Sequence, residues 1–275
     1  SLRLIPLELT FTPDSHREGL ATYFRAYVQQ FMQRWVKDNP RPNGEKYDIY
    51  RDGLRIYTTI DSRLQANAEE ATKAHMKNLQ AEFDLQNTKE LNPTAPFLEL
   101  REGQIDTLLE RSARRSERWR AMRVSGKDEA TIWASFQEPT PMRVFSWEGD
   151  RDTIMTPLDS IRYYKSYLRS AMMSMNPTTG HVKAWVGGFD YKHFQYDQVK
   201  QGRRQIGSTF KPFLYATAID QLKLSPCDSL PDALYCVEPF KHGNDEAWCP
   251  KNSGDRYGRT RTLKNALANS VNTIS

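Results

Sequence analysis

No run of about 18 apolar residues occurs in the 275-residue chain, so the sequence contains no candidate transmembrane helix. The first residues, SLRLIPLELTFTP, also lack the basic start, the apolar run and the small-residue cleavage site of a signal peptide. We therefore expect the chain as given to be soluble. It begins without Met and ends within ALANSVNTIS, which is typical of a helix-to-loop junction, so we expect both ends to be cut from a longer protein.

Cysteine is scarce, and the three cysteines, Cys227, Cys236 and Cys249, lie close together. In an oxidising compartment they permit one disulfide with one thiol left over, and the spacing does not say which pair forms. No CxxC spacing is present, and the nearby histidine is His242 alone, so the sequence predicts no metal site.

The chain has little excess of either charge, because it contains 39 lysines and arginines and 34 aspartates and glutamates, which gives a net charge of +5. The one dense basic patch, residues 111–123, has the sequence RSARRSERWRAMR and is interpreted as a solvated helix face. No aromatic-interleaved sheet motif or helix-turn-helix pattern accompanies it. The sequence therefore predicts no nucleic-acid partner.

The first third of the chain predicts two helices around a strand. Aromatic and apolar residues recur at helical spacing along Glu18–Trp35, which predicts an amphipathic helix whose aromatic face packs into a core. After the break NPRPNGEKYD, the segment Leu54–Ile60 (LRIYTTI) is typical of a short β-strand. Asp61 can then cap a helix over Ser62–Phe83. We expect a domain to begin near Gly53.

The rest of the chain mixes helices with short strands. Residues 104–135 follow a helical pattern, and MRVFSW and DTIMT predict strands around the turn-forming EGD. AMMSM and HVKAWVGG predict two further strands of a central sheet, joined by a hairpin turn at Asn176–Gly180. Long helical stretches before a hairpin favour the α+β class, helices packed on an antiparallel sheet, over alternating β-α-β units.

The most informative stretch is Gly202–Leu222, where a polar loop runs into an apolar-periodic helix that begins close to Ser208. Pro212 fits the first helical turn, whose backbone N–H groups have no intrahelical acceptor. Ser208 and Lys211 are then three residues apart on one face. A partly desolvated lysine can lose its charge and become the base that a serine nucleophile needs, and the helix N-terminus favours negative charge on the serine oxygen.

Ser-x-x-Lys alone is a weak signal, because a chain with many serines and lysines contains it by chance, and Ser208 could be an ordinary helix cap. Gly202–Thr209 also spells G-x-x-x-x-G-S-T, but a phosphate-binding loop needs a lysine where Ser208 stands. The signal strengthens with Ser270, Val271 and Asn272, which follow a short amphipathic helix, TLKNALAN. A hydroxyl and an amide there can relay a proton and hold a peptide. The two motifs in this order are typical of penicillin-binding proteins and class A β-lactamases.

Five stretches together resemble the transpeptidase part of a class A (bifunctional) penicillin-binding protein: GLRIYTTIDSRLQ, TPLDSIRYYKSYL, MNPTTGHVKAWVGGFDY, GRRQIGSTFKPFLYATAI and ALANSVNTIS. The resemblance covers nearly the whole chain and implies a penicillin-binding transpeptidase fold, similar to serine β-lactamases. It implies that Ser208 is the acylated nucleophile, Lys211 its proton acceptor, and Ser270 with Asn272 the second motif. It also implies that residues 1–52 are a linker after a glycosyltransferase part and that 53–275 are the transpeptidase domain, incomplete at its C-terminus.

The implied activity is that of a peptidoglycan D,D-transpeptidase, a serine acyl-transferase that cross-links stem peptides and is acylated by β-lactam antibiotics. Serine, lysine and oxyanion donors suffice for this chemistry, so no cofactor is implied. The resemblance places the parent protein on the periplasmic face of the inner membrane, with a membrane anchor and a glycosyltransferase domain that this chain lacks. The chain also contains no Lys-Thr-Gly or Lys-Ser-Gly, the strand motif that lines the active site in this family, so we interpret it as a partial transpeptidase.

Two alternatives stay open. A β-lactamase or β-lactam sensor shares the acyl-enzyme chemistry but needs a deacylating base or a signalling partner, and the linker-like N-terminal segment argues against it. A non-catalytic scaffold would bind partners through Leu2–Trp35 and the basic patch, and the missing Lys-Thr-Gly strand leaves this alternative open for the chain, though not for the parent protein.

Overall fold

The computed structural model of the chain describes residues 18–98 and 100–274. The fold separates into two compact units, Ser1–Gly202 and Arg203–Ser275. The part of the predicted linker before residue 18, which includes the start of the segment proposed for a scaffold, lies outside the described residues. The predicted domain boundary after residue 52 stays a prediction. Among the described helices, none combines the length and apolar character needed to cross a membrane.

Helices and short strands alternate irregularly along the chain. Within the described residues, the elements of the first unit are α1 (Thr22–Asp38), α2 (Ser62–Gln86), α3 (Glu102–Arg114), α4 (Glu117–Val124), α5 (Glu129–Gln137), β1 (Thr140–Val144), β2 (Arg151–Met155), α6 (Pro157–Lys165), β3 (Met172–Met175) and β4 (Val182–Val186). Those of the second unit are a 3-10 turn (Gly207–Phe210), α7 (Lys211–Gln221), β5 (Ser229–Asp232), β6 (Arg259–Thr262) and α8 (Leu263–Ala268). The α+β class is confirmed.

Helix α1 is the amphipathic helix predicted from the aromatic spacing. The rings of Phe24 and Tyr27 lie 6.0 and 5.3 Å from the ring of Trp185 in β4, measured between centroids. Phe31 lies further along the helix and is 47% exposed. Phe24 and Tyr27 of the aromatic face therefore pack against the β3–β4 hairpin, which agrees with the packing role that the sequence predicts for this face.

Helix α2 begins where the sequence predicts, because the Asp61 carboxylate accepts hydrogen bonds from the first free backbone N–H groups. The strand predicted for Leu54–Ile60 is wrong. Near its end, the Thr59 hydroxyl donates to the Val182 carbonyl oxygen at 2.7 Å, and the next residue after the segment, Asp61, donates its N–H to the Lys183 carbonyl oxygen at 2.9 Å. A strand requires a repeated backbone ladder, and β-branched composition alone does not create one.

Three helices, α3 to α5, make up the helical stretch predicted over residues 104–135. Ser116 and Asp128 divide it, because each side chain caps the N-terminus of the helix that follows. Arg114 of the basic patch lies over the Trp119 ring, 4.9 Å from its centroid. The apolar faces of the three helices meet in a buried cluster of Ala113, Trp119, Ile132 and Phe136.

The described strands form three separate two-stranded antiparallel sheets, β1–β2, β3–β4 and β5–β6. The sequence predicts the first two pairs and their turns. The register places Thr140 opposite Met155 in β1–β2 and Met172 opposite Val186 in β3–β4. Among the described residues, the predicted central sheet is therefore represented by the β3–β4 hairpin.

The β3–β4 hairpin packs on helix α2. Ala184 and Val186 join Ala68 of α2 in a buried cluster. The fully buried Gln65 amide accepts a hydrogen bond from the Trp185 N–H at 2.7 Å and donates to its carbonyl oxygen at 2.9 Å. A glutamine side chain thus satisfies backbone groups of β4 that a neighbouring strand would otherwise bind.

The second unit is built around the contact between helices α7 and α8. Tyr215 of α7 packs with Leu263 and Ala266 of α8 and with Val271, which follows α8. Strand β6 leads directly into α8, and the Thr262 hydroxyl at the junction caps the new helix by accepting from a backbone N–H. This packing brings the start of α7 close to the end of α8.

Candidate active site

The start of helix α7 presents Ser208 to solvent. Gly207 has a backbone φ of +52°, in the left-handed region that glycine adopts without steric cost, and the exposed Ser208 follows it in the 3-10 turn. The Lys211 N–H donates to the Ser208 carbonyl oxygen. Pro212 lies in the first turn of α7, where its missing N–H loses no hydrogen bond. The predicted helix start close to Ser208 is confirmed.

The end of helix α8 presents Ser270 in an unusual backbone conformation, with a φ of +51°. The Ser270 N–H donates to the Leu267 carbonyl oxygen at 3.1 Å, and the Val271 N–H donates to the Ala266 carbonyl oxygen at 2.9 Å. These two bonds form a Schellman motif, in which the left-handed position is usually glycine. Val271 is buried beside Ala266, which anchors the turn in the core.

The side-chain amine of Lys211 joins these two helix ends. Its Nζ lies 2.8 Å from Ser270 O, 3.3 Å from Ser270 Oγ, 3.1 Å from Val271 O and 2.6 Å from Asn272 Oδ1. An ammonium group has three N–H donors, one fewer than the oxygens around it. The longest contact, to Ser270 Oγ, is also the one in which the oxygen can act as the donor. The structure therefore brings Lys211, Ser270 and Asn272 together.

Lys211 is buried, with 8% of its surface exposed, which is rare for lysine. Burial disfavours the ammonium form, so the pKa of the Lys211 side chain lies below its ordinary value. All four oxygens around Nζ are uncharged. The environment therefore solvates the ammonium without the strong attraction of a carboxylate, and the neutral amine is easier to reach than at a surface lysine.

Ser208 stands apart from this hydrogen-bonded group. Within the residues that the structure describes, its hydroxyl makes no hydrogen bond. Side chains three residues apart eclipse one another in a 3-10 turn, so the backbone keeps Ser208 and Lys211 on one side. The Lys211 amine is nevertheless directed at the loop 270–272 and not at the serine oxygen.

Asn272 is oriented by residues that precede strand β6. Its Nδ2 donates to the Lys251 carbonyl oxygen at 2.7 Å, which turns Oδ1 towards Lys211, and its backbone N–H donates to Asn252 Oδ1 at 2.9 Å. Asn252 in turn donates from Nδ2 to Asp232 Oδ1 at 2.6 Å. Neither Asn252 nor Asp232 belongs to a sequence motif that predicts a site. An asparagine in a polar turn and an aspartate at a strand end form no pattern that distinguishes them.

The cysteine pairing that the sequence leaves open is resolved. Cys236 and Cys249 form a disulfide, and Cys227 carries a free, exposed thiol. Over residues 18–98 and 100–274, no group of three or more His, Cys, Asp or Glu side chains is arranged to hold a metal ion.

Two family profiles match adjoining parts of the chain. The penicillin-binding protein middle domain matches residues 92–168, and the penicillin binding protein transpeptidase domain matches residues 170–275. The chain belongs to the penicillin-binding proteins. The transpeptidase match spans both helix ends and the loop that Lys211 contacts.

The relatives of this penicillin-binding protein chain are about three times longer. It is 29% identical to penicillin-binding protein 1A of Neisseria flavescens over 261 residues, which cover 84% of this chain and 31% of the relative. It is 25% identical to penicillin-binding protein 1A of Escherichia coli strain K12 over 264 residues, covering 82% and 29%. The chain thus spans about a third of the length of the curated relatives it matches.

A crystal structure of penicillin-binding protein 1A from Haemophilus influenzae shares the fold. The TM-score is 0.50 at 21% sequence identity, over 92% of this chain and 38% of that one. At this identity the likeness shows the fold alone. The two family profiles and the two curated relatives confirm the resemblance to class A penicillin-binding proteins that the sequence motifs indicate.

Proposed function

We propose that this chain is part of a class A penicillin-binding protein that cross-links peptidoglycan as a serine-type D,D-transpeptidase. The observation that carries the proposal is the approach of the Lys211 amine to Ser270 and Asn272, about 60 residues further along the chain. The exposed Ser208 precedes Lys211 by three residues. Membership of the penicillin-binding proteins supports it.

In the proposed first half-reaction, Ser208 Oγ attacks the carbonyl carbon of the penultimate D-alanine of a stem peptide. The neutral Lys211 amine accepts the serine proton, an ester C–O bond forms and the amide C–N bond breaks. The terminal D-alanine leaves after its nitrogen takes up a proton, which Ser270 relays from the Lys211 ammonium. Lysine thus acts first as base and then as acid.

The local electrostatics suit these roles. The lowered pKa of Lys211 increases the fraction of neutral amine near neutral pH. The N-terminus of α7 favours the negative charge that develops on Ser208 Oγ. The step requires the Lys211 side chain to rotate from the loop 270–272 towards Ser208. Catalytic hydrogen bonds that are absent without substrate commonly form once it binds.

In the second half-reaction, an amine from a neighbouring stem peptide attacks the ester, forms the cross-link and releases Ser208. A β-lactam acylates the same serine because its ring carbonyl takes the place of the peptide carbonyl. The polymer lies outside the cytoplasmic membrane, so we place the parent protein at the periplasmic face of the inner membrane, membrane-anchored and with a glycosyltransferase domain. Neither half-reaction needs a cofactor.

Intact mass after incubation with a fluorescent penicillin tests the proposal. It is measured on this chain and on a longer version with the native downstream sequence, because residues 1–275 contain no Lys-Thr-Gly. We expect a covalent adduct on the longer version that Ser208→Ala abolishes. Ser229→Ala, at an exposed serine of β5 in the same unit, is the matched control and keeps the adduct.

The alternatives predict different results. No adduct on a well-folded longer version would overturn the transpeptidase proposal and favour a scaffold. An adduct that hydrolyses as fast as it forms would favour a β-lactamase. An adduct on the 275-residue chain itself would show that acylation needs no residues beyond it.

A further inference from the structure

We propose that Asn252 is a positioning residue for the catalytic lysine: held by the buried Asp232 carboxylate, it fixes the loop 270–273 and, through Asn272, directs the Lys211 amine. The inference rests on the proposed function, since it concerns the geometry of that site. It adds to that site two residues that lie outside both catalytic motifs.

Asp232 provides the fixed point. Its side chain is 1% exposed, and the carboxylate accepts from Thr273 Oγ1 at 2.5 Å, Asn252 Nδ2 at 2.6 Å and Arg261 Nε at 2.9 Å. The hydrogen bond from Thr273, with those from Arg261 and Asn252, holds the pKa of Asp232 below its ordinary value, so it is ionised at neutral pH. A buried carboxylate with these partners resists displacement, because any lost bond leaves an unsatisfied charge.

Asn252 links the Asp232 carboxylate to backbone N–H groups of the loop 270–273. An ionised Asp232 can only accept, so Asn252 must turn its NH2 group towards it. The Asn252 Oδ1 then faces the opposite way and accepts from the N–H of Asn272 at 2.9 Å and of Thr273 at 3.3 Å. Aspartate at position 252 would place two carboxylates in contact, and a shorter side chain would reach neither partner.

The two N–H groups that Asn252 binds belong to the loop that contacts the lysine. Asn272 Oδ1 is 2.6 Å from Lys211 Nζ, the shortest contact that this amine makes with the loop. Without Asn252, two backbone donors lose their acceptor, and the loop can shift away from α7. Water would then reach Lys211, and its pKa would rise towards the ordinary lysine value. Loss of Asn252 should therefore change both the acylation rate and its pH dependence.

The test compares Asn252→Ala with Asn244→Ala. Asn244 also donates to two backbone carbonyls, Glu238 O at 3.0 Å and Glu246 O at 2.7 Å, but in a loop without hydrogen bonds to Lys211. The second-order rate of penicillin acylation is measured on the longer version from about pH 6 to about pH 11, a range that extends past the ordinary lysine pKa of about 10.4. Thermal melting of each variant records its folding.

We expect Asn252→Ala to slow acylation at neutral pH by about 10- to 100-fold, as small displacements of catalytic groups do, and to move the rise of the rate to higher pH. Asn244→Ala should change neither. The exchanged pair, Asp232→Asn with Asn252→Asp, restores a carboxylate–amide contact and an acceptor for the loop. It should acylate faster than Asp232→Asn alone, and this comparison decides the matter if Asn252→Ala does not fold.

The proposal is overturned if Asn252→Ala acylates like Asn244→Ala, or if it is slower with an unchanged pH dependence and the exchanged pair gives no recovery. That second result would show a purely structural role. The proposed function fails separately, if the wild-type protein is not acylated. The NMR titration of a 15N-labelled Lys211 amine then decides: the same pKa in wild type and Asn252→Ala overturns the positioning role, and a raised pKa in the variant supports it.

Discussion

Replacement of Ser270 by glycine is expected to stabilise the second unit while it removes a hydroxyl from the site. Ser270 has a φ of +51°, a conformation in which the Cβ of an L-residue crowds the following carbonyl oxygen. Glycine has no Cβ and is preferred at this position of a Schellman motif. Backbone strain of this kind persists where the surrounding structure requires it, and often at functional residues. The serine places its Oγ 3.3 Å from Lys211 Nζ.

The size of the effect follows from three contributions. Relief of the left-handed conformation is worth about 1–2 kcal/mol, and the greater freedom of glycine in the unfolded chain offsets about 0.4–1 kcal/mol. The lost hydrogen bond to Lys211 costs about 0.5 kcal/mol. Ser270→Ala loses the same hydrogen bond but keeps the backbone strain, so the hydrogen-bond contribution cancels when the two variants are compared. We expect Ser270→Gly to exceed Ser270→Ala by about 0.5–1 kcal/mol in free energy of unfolding.

Urea unfolding followed by circular dichroism, with amide hydrogen exchange at Val271, measures this difference. Lys223 is the matched control, since it follows α7 with a φ of +55° and an exposed side chain. The free energy of unfolding of Lys223→Gly should exceed that of Lys223→Ala by a similar amount. Both Lys223 variants should leave acylation unchanged, whereas both Ser270 variants should slow it. Equal stability of Ser270→Gly and Ser270→Ala, or slower exchange at Val271 in the alanine variant, would refute the reasoning.

Three further outcomes are expected. Asp232 has a lowered pKa, so its carboxylate stabilises the fold above about pH 4, and this contribution is lost as the pH falls through the folded pKa. In acid unfolding, the difference in stability between wild type and Asp232→Asn should therefore narrow below about pH 4, and a constant difference would contradict this. Lys211→Arg cannot supply a neutral base and should slow penicillin acylation by about 10²- to 10⁴-fold while the protein stays folded; near-normal acylation would exclude Lys211 as the base. An added Cβ at Gly187 would meet Asp197 Oδ1 and the ring of a buried tyrosine, so Gly187→Ala should lower the free energy of unfolding by about 1–3 kcal/mol. The control Gly103→Ala adds a Cβ that meets nothing within 4 Å and should be neutral or stabilising, and similar melting temperatures for the two variants would show that the close packing is absent.

Local signals were sufficient where a residue acts on its immediate neighbours. Asp61 was predictable as a helix cap because it binds the N–H groups of the next turn, and Pro212 marked the start of α7 for a similar reason. The strand predicted for Leu54–Ile60 was wrong because it depends on distant residues. Its composition suits a strand, but a strand depends on a partner more than 120 residues away, and β4 meets it at one end only. The caps at Ser116 and Asp128, which divide the predicted helical stretch, use ordinary residue types whose capping role depends on where the chain turns.

The amino-acid sequence by itself determined the family, the helix start close to Ser208 and the candidate residues Ser208, Lys211, Ser270 and Asn272, because these depend on residue types at short spacings. Only the tertiary structure decided that the Lys211 amine faces the loop 270–272, that Cys236 pairs with Cys249, and that the buried Asp232 supports Asn272 through Asn252. Each of these contacts joins residues from 13 to 61 positions apart. Local propensity acts over a few residues, so the packing of α7 against α8 and the burial of a charge, which set such contacts, have no signature in sequence spacing.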